Sequence, residues 1–166
     1  MLNNTILKWS DVDFLIERII DEISWHDFKF DTIIGLGRGG LIPATILSYK
    51  LGVYNLQNLG INTRHKDNKT LKQLIKNLSD MGFKSDTEKF AMIQKPTVWG
   101  RVLVVDDIND TGDTFKAINY YLNNHLKKIK DIRYCALVKR YNSKFNDGFY
   151  GNSFHSDNWM VFPWDK

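Results

Sequence analysis

The feature that most constrains this chain is a run of four apolar residues, Val102-Leu103-Val104-Val105, that ends on two adjacent carboxylates, Asp106-Asp107. An unbroken apolar run bounded by charge suits a strand buried on both faces, the signature of a parallel sheet covered by helices. After Ile108-Asn109 the chain turns through Asp110-Thr111-Gly112-Asp113-Thr114 and opens a helix running to about Lys128. Hydroxyls and free N–H groups at a helix start form a ready cradle for an anion. The carboxylate pair can accept hydrogen bonds from a diol or position a divalent cation through water. Acidic groups beside an anion site repel the ligand unless a cation or separated subsites intervene. The bland alternative is a capped strand-to-helix junction with solvated aspartates, and a third carboxylate at Asp110 argues against it.

Elsewhere the spacing predicts alternating helices and strands. Val12, Leu15, Ile16, Ile19, Ile20 and Ile23 return at helical spacing, so Trp9 to Ile23 reads as a helix with Ser10 as its cap and Asp13 three residues on. Asp31 to Leu36 reads as a buried strand, followed by a helix to Leu51 with Pro43 in its first turn and Gly52 as its stop. Val53–Ile61 and Phe90–Ile93 read as strands, Leu71, Leu74, Ile75 and Leu78 as one face of a short helix, and Ile132–Val138 as a further strand. This order predicts one α/β domain over residues 1–166 with a mostly parallel central sheet flanked by helices. In such sheets ligands bind at the carboxyl ends of the strands, where both glycine-bearing loops fall.

The first of those loops, Gly35-Leu36-Gly37-Arg38-Gly39-Gly40, satisfies G-x-G-x-x-G between a strand and a helix. A dinucleotide site also needs an acidic residue about 20 positions on, and no Asp or Glu occurs between Asp31 and Asp67. A Gly-Lys-Ser/Thr sequence is absent too. What remains is a glycine turn with a central arginine at a helix start, suited to a pyrophosphate or simply to a tight turn with a solvated Arg38.

Composition bounds the rest. The chain has 166 residues, 43% hydrophobic and 13% aromatic, enough for one domain with its own core. No apolar run reaches the roughly 18 residues of a membrane span, no signal-peptide pattern opens the chain, and no membrane partner is expected. Cys135 is the single cysteine, so no internal disulfide forms and a reducing, cytoplasmic setting is expected. Its apolar neighbours make it a buried strand thiol rather than a nucleophile. The net charge of +4 suits an anionic partner, but no nucleic-acid motif accompanies it, so no nucleic-acid partner is expected.

Residues 102–114 resemble the signature of type I phosphoribosyltransferases, which bind 5-phosphoribosyl 1-diphosphate (PRPP): four hydrophobics, two acidic residues, two variable ones, then Asp-Thr-Gly-x-Thr. Gly37-Arg38-Gly39-Gly40-Leu41-Ile42-Pro43 resembles the pyrophosphate loop of the bacterial xanthine-guanine and hypoxanthine branches. Trp159-Met160-Val161-Phe162-Pro163-Trp164-Asp165 resembles the end of the xanthine-guanine branch. Asn109 and Asp113 are unusual residues at tolerant positions of the signature.

The resemblance implies transfer of a phosphoribosyl group from PRPP to a 6-oxopurine in purine salvage, with Mg²⁺. Asp106 and Asp107 would hold the ribose hydroxyls with Mg²⁺ nearby, and Asp110, Thr111, Gly112, Asp113 and Thr114 would wrap the 5′-phosphate. Gly37, Arg38 and Gly39 would contact pyrophosphate, in a loop whose Gly37–Arg38 peptide is often cis in related enzymes. Asp110 would be the catalytic group at purine N7. Lys139 would contact the exocyclic O6, although an ordinary exposed lysine has the same spacing. Trp159 would stack on the purine and the Met160 backbone would read its edge, with core packing the alternative for Trp159, Phe162 and Trp164. Asp165 would help hold a second metal ion. Residues 62–95, with Arg64 and seven lysines against four acidic residues, would form a hood that closes over PRPP or a subunit contact. A homodimer or homotetramer is expected. A regulatory or RNA-binding protein on the same fold, a phosphoribosyltransferase for another base and a phosphoacceptor receiver are the competing readings; the position of the acidic pair late in the chain argues against the last.

Overall fold

A computed structural model describes residues 4–60, 98–155 and 158–165. Helical spacing near the start becomes α1, Trp9–Trp25, whose buried face is Val12, Leu15, Ile16, Ile19 and Ile23. Its cap is Lys8 rather than Ser10: the Lys8 N–H donates to Asp11 Oδ2 at 2.7 Å, so the helix begins one residue before the sequence-based cap. The apolar run Thr32–Leu36 forms β2, buried throughout, and leads into α2, Leu41–Leu51, which stops at Gly52. Strand β3 is Leu56–Leu59, shorter than the expected Val53–Ile61.

The 102–105 run lies inside β4, Gly100–Asn109, which extends past both carboxylates. Helix α3, Asp113–His125, ends three residues short of Lys128 because Leu126 is extended and β5, Ile129–Arg140, begins soon after. Three strands had no counterpart in the sequence-based reading: β1 (Asn4–Ile6), β6 (Phe149–Phe154) and β7 (Trp159–Val161). The expected 71–78 helix, the 90–93 strand and the whole 62–95 hood lie outside the described residues.

The main sheet has the order β3-β2-β4-β5-β6 and every pairing in it is parallel. One face is covered by α1 and α2, which pack with Ile33, Leu103, Val105, Cys135 and Leu137. The other is covered by α3, through Phe115, Ile118, Tyr121 and Leu122 against Val102, Val104, Tyr134 and Ala136. Alternate residues of β4 therefore enter opposite cores, as a strand buried on both faces requires. A separate two-stranded sheet pairs β1 with β7 in parallel and joins the beginning of the chain to its end. Among the described residues no helix is long and apolar enough to cross a membrane.

The strand order fixes where a ligand can sit. From β2 the chain passes through α2 to β3 on one side, and from β4 through α3 to β5 on the other, while β2 and β4 are neighbours. Connections leaving adjacent parallel strands in opposite directions open a crevice at their carboxyl ends. The 37–40 loop and the 106–112 segment form its two sides.

The layering can be tested by truncation. Ile19 is fully buried under α1 and Phe14 on the same helix is 61% exposed. Ile19→Ala is expected to cost about 2–5 kcal/mol in chemical denaturation, and Phe14→Ala less than about 1 kcal/mol. Equal losses would contradict the assignment of the buried face.

Candidate active site

The carboxylates of β4 stand where the strand leaves the core. Asp106 Oδ1 accepts from the Asp107 N–H at 2.9 Å, and Asp107 Oδ1 accepts from the Ile108 N–H at 2.8 Å. These bonds turn the pair toward the crevice but leave two like charges adjacent. Burial, and then repulsion by Asp107, hold the Asp106 carboxyl well above the usual carboxylate range. Burial also raises Asp107, reinforced by the negative charge of Asp165 and opposed by hydrogen bonding to its ionised form. Asp165 is thus close enough to act on Asp107, while its Oδ2 accepts from the Phe162 N–H at 3.0 Å.

The glycine loop meets this pair directly. A Cβ on Gly39 would lie 2.0 Å from Asp107 Oδ2, so only glycine lets the loop backbone approach the carboxylate. Arg38, at the loop's centre, is exposed. The Gly37–Arg38 peptide is trans, as are the other described peptide bonds, which corrects the expectation of a cis bond; Gly37 takes a φ of +59° instead, and its N–H donates to Leu59 O at 2.8 Å.

Beyond the pair, Gly112 turns the chain into α3 with a φ of +87°, and a Cβ there would meet Phe145 and Ser143. The Thr111 hydroxyl donates to Asp113 Oδ2 at 3.0 Å and accepts from the Asp113 N–H at 3.3 Å. Asp110, Thr111 and Asp113 line an open cavity of about 250 Å³ together with Asn142 and Lys144. Those last two residues come from the β5–β6 connection, which is tied down where the Lys144 N–H donates to Thr111 O at 3.0 Å. Lys144 supplies positive charge opposite two carboxylates, and motif spacing gave no sign of it.

Asn109 is the structural key to that connection. It is 3% exposed. Its Nδ2 donates to Phe145 O at 2.8 Å and to Tyr150 Oη at 3.0 Å, while its Oδ1 accepts from Ser143 Oγ at 2.8 Å. Burial pushes the Tyr150 hydroxyl upward, so it stays protonated and donates to Phe145 O at 3.2 Å. The Lys139 ammonium lies over the Tyr150 ring, 5.6 Å from its centre.

Parallel register pairs Asn109 with Lys139, so the next residues, Asp110 and Arg140, run side by side. Arg140 Nε is 3.4 Å from Asp110 Oδ1, and its Nη2 donates to Asn158 O. The adjacent pair Lys139-Arg140 at a strand end was the one sequence signal for Arg140.

The tail residues take up different surroundings. Phe162 is buried and stacks on Trp164 at 5.0 Å, and Trp164 also contacts Trp9. Met160 has its side chain in the core and its backbone opposite Thr5. Trp159 is 65% exposed. Cys135 is buried, and burial pushes its thiol up, which removes it as a nucleophile. Among the described residues no group of three or more His, Cys, Asp or Glu side chains forms a ready metal cage.

Removing the Asn109 side chain strands buried partners. Asn109→Ala is expected to cost about 1–3 kcal/mol for the unsatisfied groups left behind, measured by chemical denaturation. A loss within about 0.5 kcal/mol, the range of ordinary surface changes, would show that the network is not needed.

Comparison with known proteins gives this geometry its family. Residues 3–165 match the family described as the phosphoribosyl transferase domain. The xanthine-guanine phosphoribosyltransferase of Idiomarina loihiensis is 30% identical over 138 residues, covering 82% of this chain and 72% of the relative. The protein of the same name from Gluconobacter oxydans is 26% identical over 139 residues, covering 82% and 69%. The solved purine phosphoribosyltransferase of Pyrococcus horikoshii superposes with a TM-score of 0.71 at 25% identity, covering 99% of this chain and 95% of that one. A crevice with acidic and glycine-rich sides, on a fold shared across nearly the whole chain, places this protein in the phosphoribosyltransferase family.

Proposed function

We propose that this protein transfers the 5-phosphoribosyl group from PRPP to a purine, with a 6-oxopurine (guanine, hypoxanthine or xanthine) as the base, and releases pyrophosphate. The observation that carries this reading is the meeting of the Asp106-Asp107 pair with the Gly37–Gly40 loop across the crevice, Gly39 against Asp107. A group suited to a diol and a loop suited to pyrophosphate stand side by side, as the neighbouring C2/C3 hydroxyls and C1 pyrophosphate of PRPP require. The curated relatives named for xanthine and guanine, and the solved relative named for purine, support the choice of base.

In this reading Asp106 and Asp107 accept hydrogen bonds from the ribose 2′- and 3′-hydroxyls. Asp110, Thr111, Gly112, Asp113 and Thr114 enclose the 5′-phosphate at the start of α3. Gly37 and Gly39 offer backbone to the pyrophosphate, and Arg38 its guanidinium. The C1–O bond to pyrophosphate breaks with oxocarbenium character, and the purine nitrogen forms the new C1–N bond from the opposite face. Asp110 accepts the proton at N7, Lys139 donates to O6, Trp159 stacks on the ring and the Met160 backbone reads its edge.

Two partly buried carboxylates whose ionisation is resisted fit a divalent cation, which needs one or two protein carboxylates when substrate oxygens complete its shell. Asp106 and Asp107 would hold Mg²⁺ together with PRPP, and Asp165, beside Asp107, would serve a second ion. The chemistry gained from bound Mg²⁺ is neutralisation of charge on the departing pyrophosphate. Self-association as a dimer or tetramer belongs to the same reading.

The test is nucleotide formation from PRPP and Mg²⁺ with guanine, hypoxanthine, xanthine, adenine and uracil in turn. Turnover is expected with the 6-oxopurines. Asp110→Asn is expected to lower kcat by about 10²–10⁴-fold, and Lys139→Ala to lower kcat/KM for the base by about 10- to 100-fold, the loss of one charged hydrogen bond. Turnover with adenine or uracil alone would remove the base assignment. Binding of PRPP without turnover of any base would favour a regulatory protein on this fold.

A further inference from the structure

The geometry points to Arg140 as a positioning residue that holds the Asp110 carboxylate and the base-stacking segment in one alignment, an inference that rests on the proposed phosphoribosyl transfer to a purine. Arg140 is the last residue of β5 and is only 8% exposed, whereas the side chain of Asp110 is 61% exposed. A guanidinium taken out of water needs acceptors held in place around it. Two of them are known: Asp110 Oδ1 at 3.4 Å from Nε, and Asn158 O, which accepts from Nη2.

Those acceptors come from different parts of the chain. Asp110 sits in the turn between β4 and α3 of the main sheet. Asn158 precedes Trp159 and β7, which pairs with β1 in the separate sheet. The proposed reaction needs both on one purine, Asp110 at its N7 edge and Trp159 on its face. A rigid planar fork can satisfy two acceptors at a fixed separation, whereas the single ammonium of lysine cannot hold both in the same way. An exposed carboxylate on a turn has many rotamers, and the guanidinium selects among them.

The inference separates from a purely structural role by its kinetic pattern. Arg140→Lys keeps the charge and the long side chain, and Arg140→Met keeps the bulk alone. Initial rates with PRPP and a 6-oxopurine, read beside thermal unfolding, test it. Arg140→Lys is expected to lower kcat/KM for the purine on the order of 10- to 100-fold, the effect of a small misalignment of a reacting group, with KM for PRPP changed less than KM for the purine. Arg140→Met is expected to lower it further. The double variant Arg140→Lys/Asp110→Asn should lose less than the product of the two single losses, because part of the arginine's effect runs through that carboxylate. Purine kinetics unaltered in Arg140→Lys, a parallel rise in KM for both substrates, or additive losses in the double variant would overturn the role. If Arg140→Met fails to fold, Arg140→Lys and the double variant decide alone. Absence of wild-type turnover with every purine would overturn the proposed function and this inference with it; wild-type turnover with any of the contrary variant results would overturn this inference only.

Discussion

Two carboxylates side by side at the end of a buried strand repel each other and resist losing water, and the arrangement around Asp106 and Asp107 is organised by that conflict. The strand brings them out of two hydrophobic cores at once, with Val104 packed on one face and Val105 on the other. Backbone N–H groups take one oxygen of each, and the Gly39 backbone closes against Asp107. Burial raises the affinity of both groups for protons. In the proposed function, the hydroxyl donors of a sugar diol and a divalent cation would offset that cost.

The parts of the fold legible in the sequence were those written in a strong local code. The α1 stripe, the β2 and β4 apolar runs and the Gly52 stop depend on periodicity and on glycine, and they stand where the spacing put them. Strand β6 was invisible because Phe149-Tyr150-Gly151-Asn152-Ser153-Phe154 carries polar and small residues that local preference assigns to loops. It is a strand because β5 offers it a parallel edge and α1 covers it. Strands β1 and β7 are three residues each and exist only through one another. Ser10 was misread as a cap because a serine is the commoner choice, whereas here the Asp11 carboxylate reaches back to the Lys8 N–H.

At the site, a motif exposed the residues that lie consecutively along the chain and missed those that fold brings in from elsewhere. Asp106 to Thr114 form one segment and were read as one. Asn142, Lys144 and Arg140 reach the same cavity or the same carboxylate only because β4 and β5 run in parallel register and the 141–148 connection folds back on Asn109. Asn109 itself looked like a tolerated oddity of the signature, yet its buried amide binds that connection to the strand end. A polar residue at that point is explained by three partners, none of them near it in sequence.

The proposed function requires PRPP to be held at the end of β4. Calorimetric titration of PRPP in the presence of Mg²⁺ into the wild-type protein and into Asp106→Asn and Asp107→Asn tests it most directly. Saturable binding by the wild type, weakened on the order of tenfold or more in each variant through the lost charged hydrogen bonds, is the predicted result. Equal PRPP affinity in all three proteins, or none in the wild type, would contradict it.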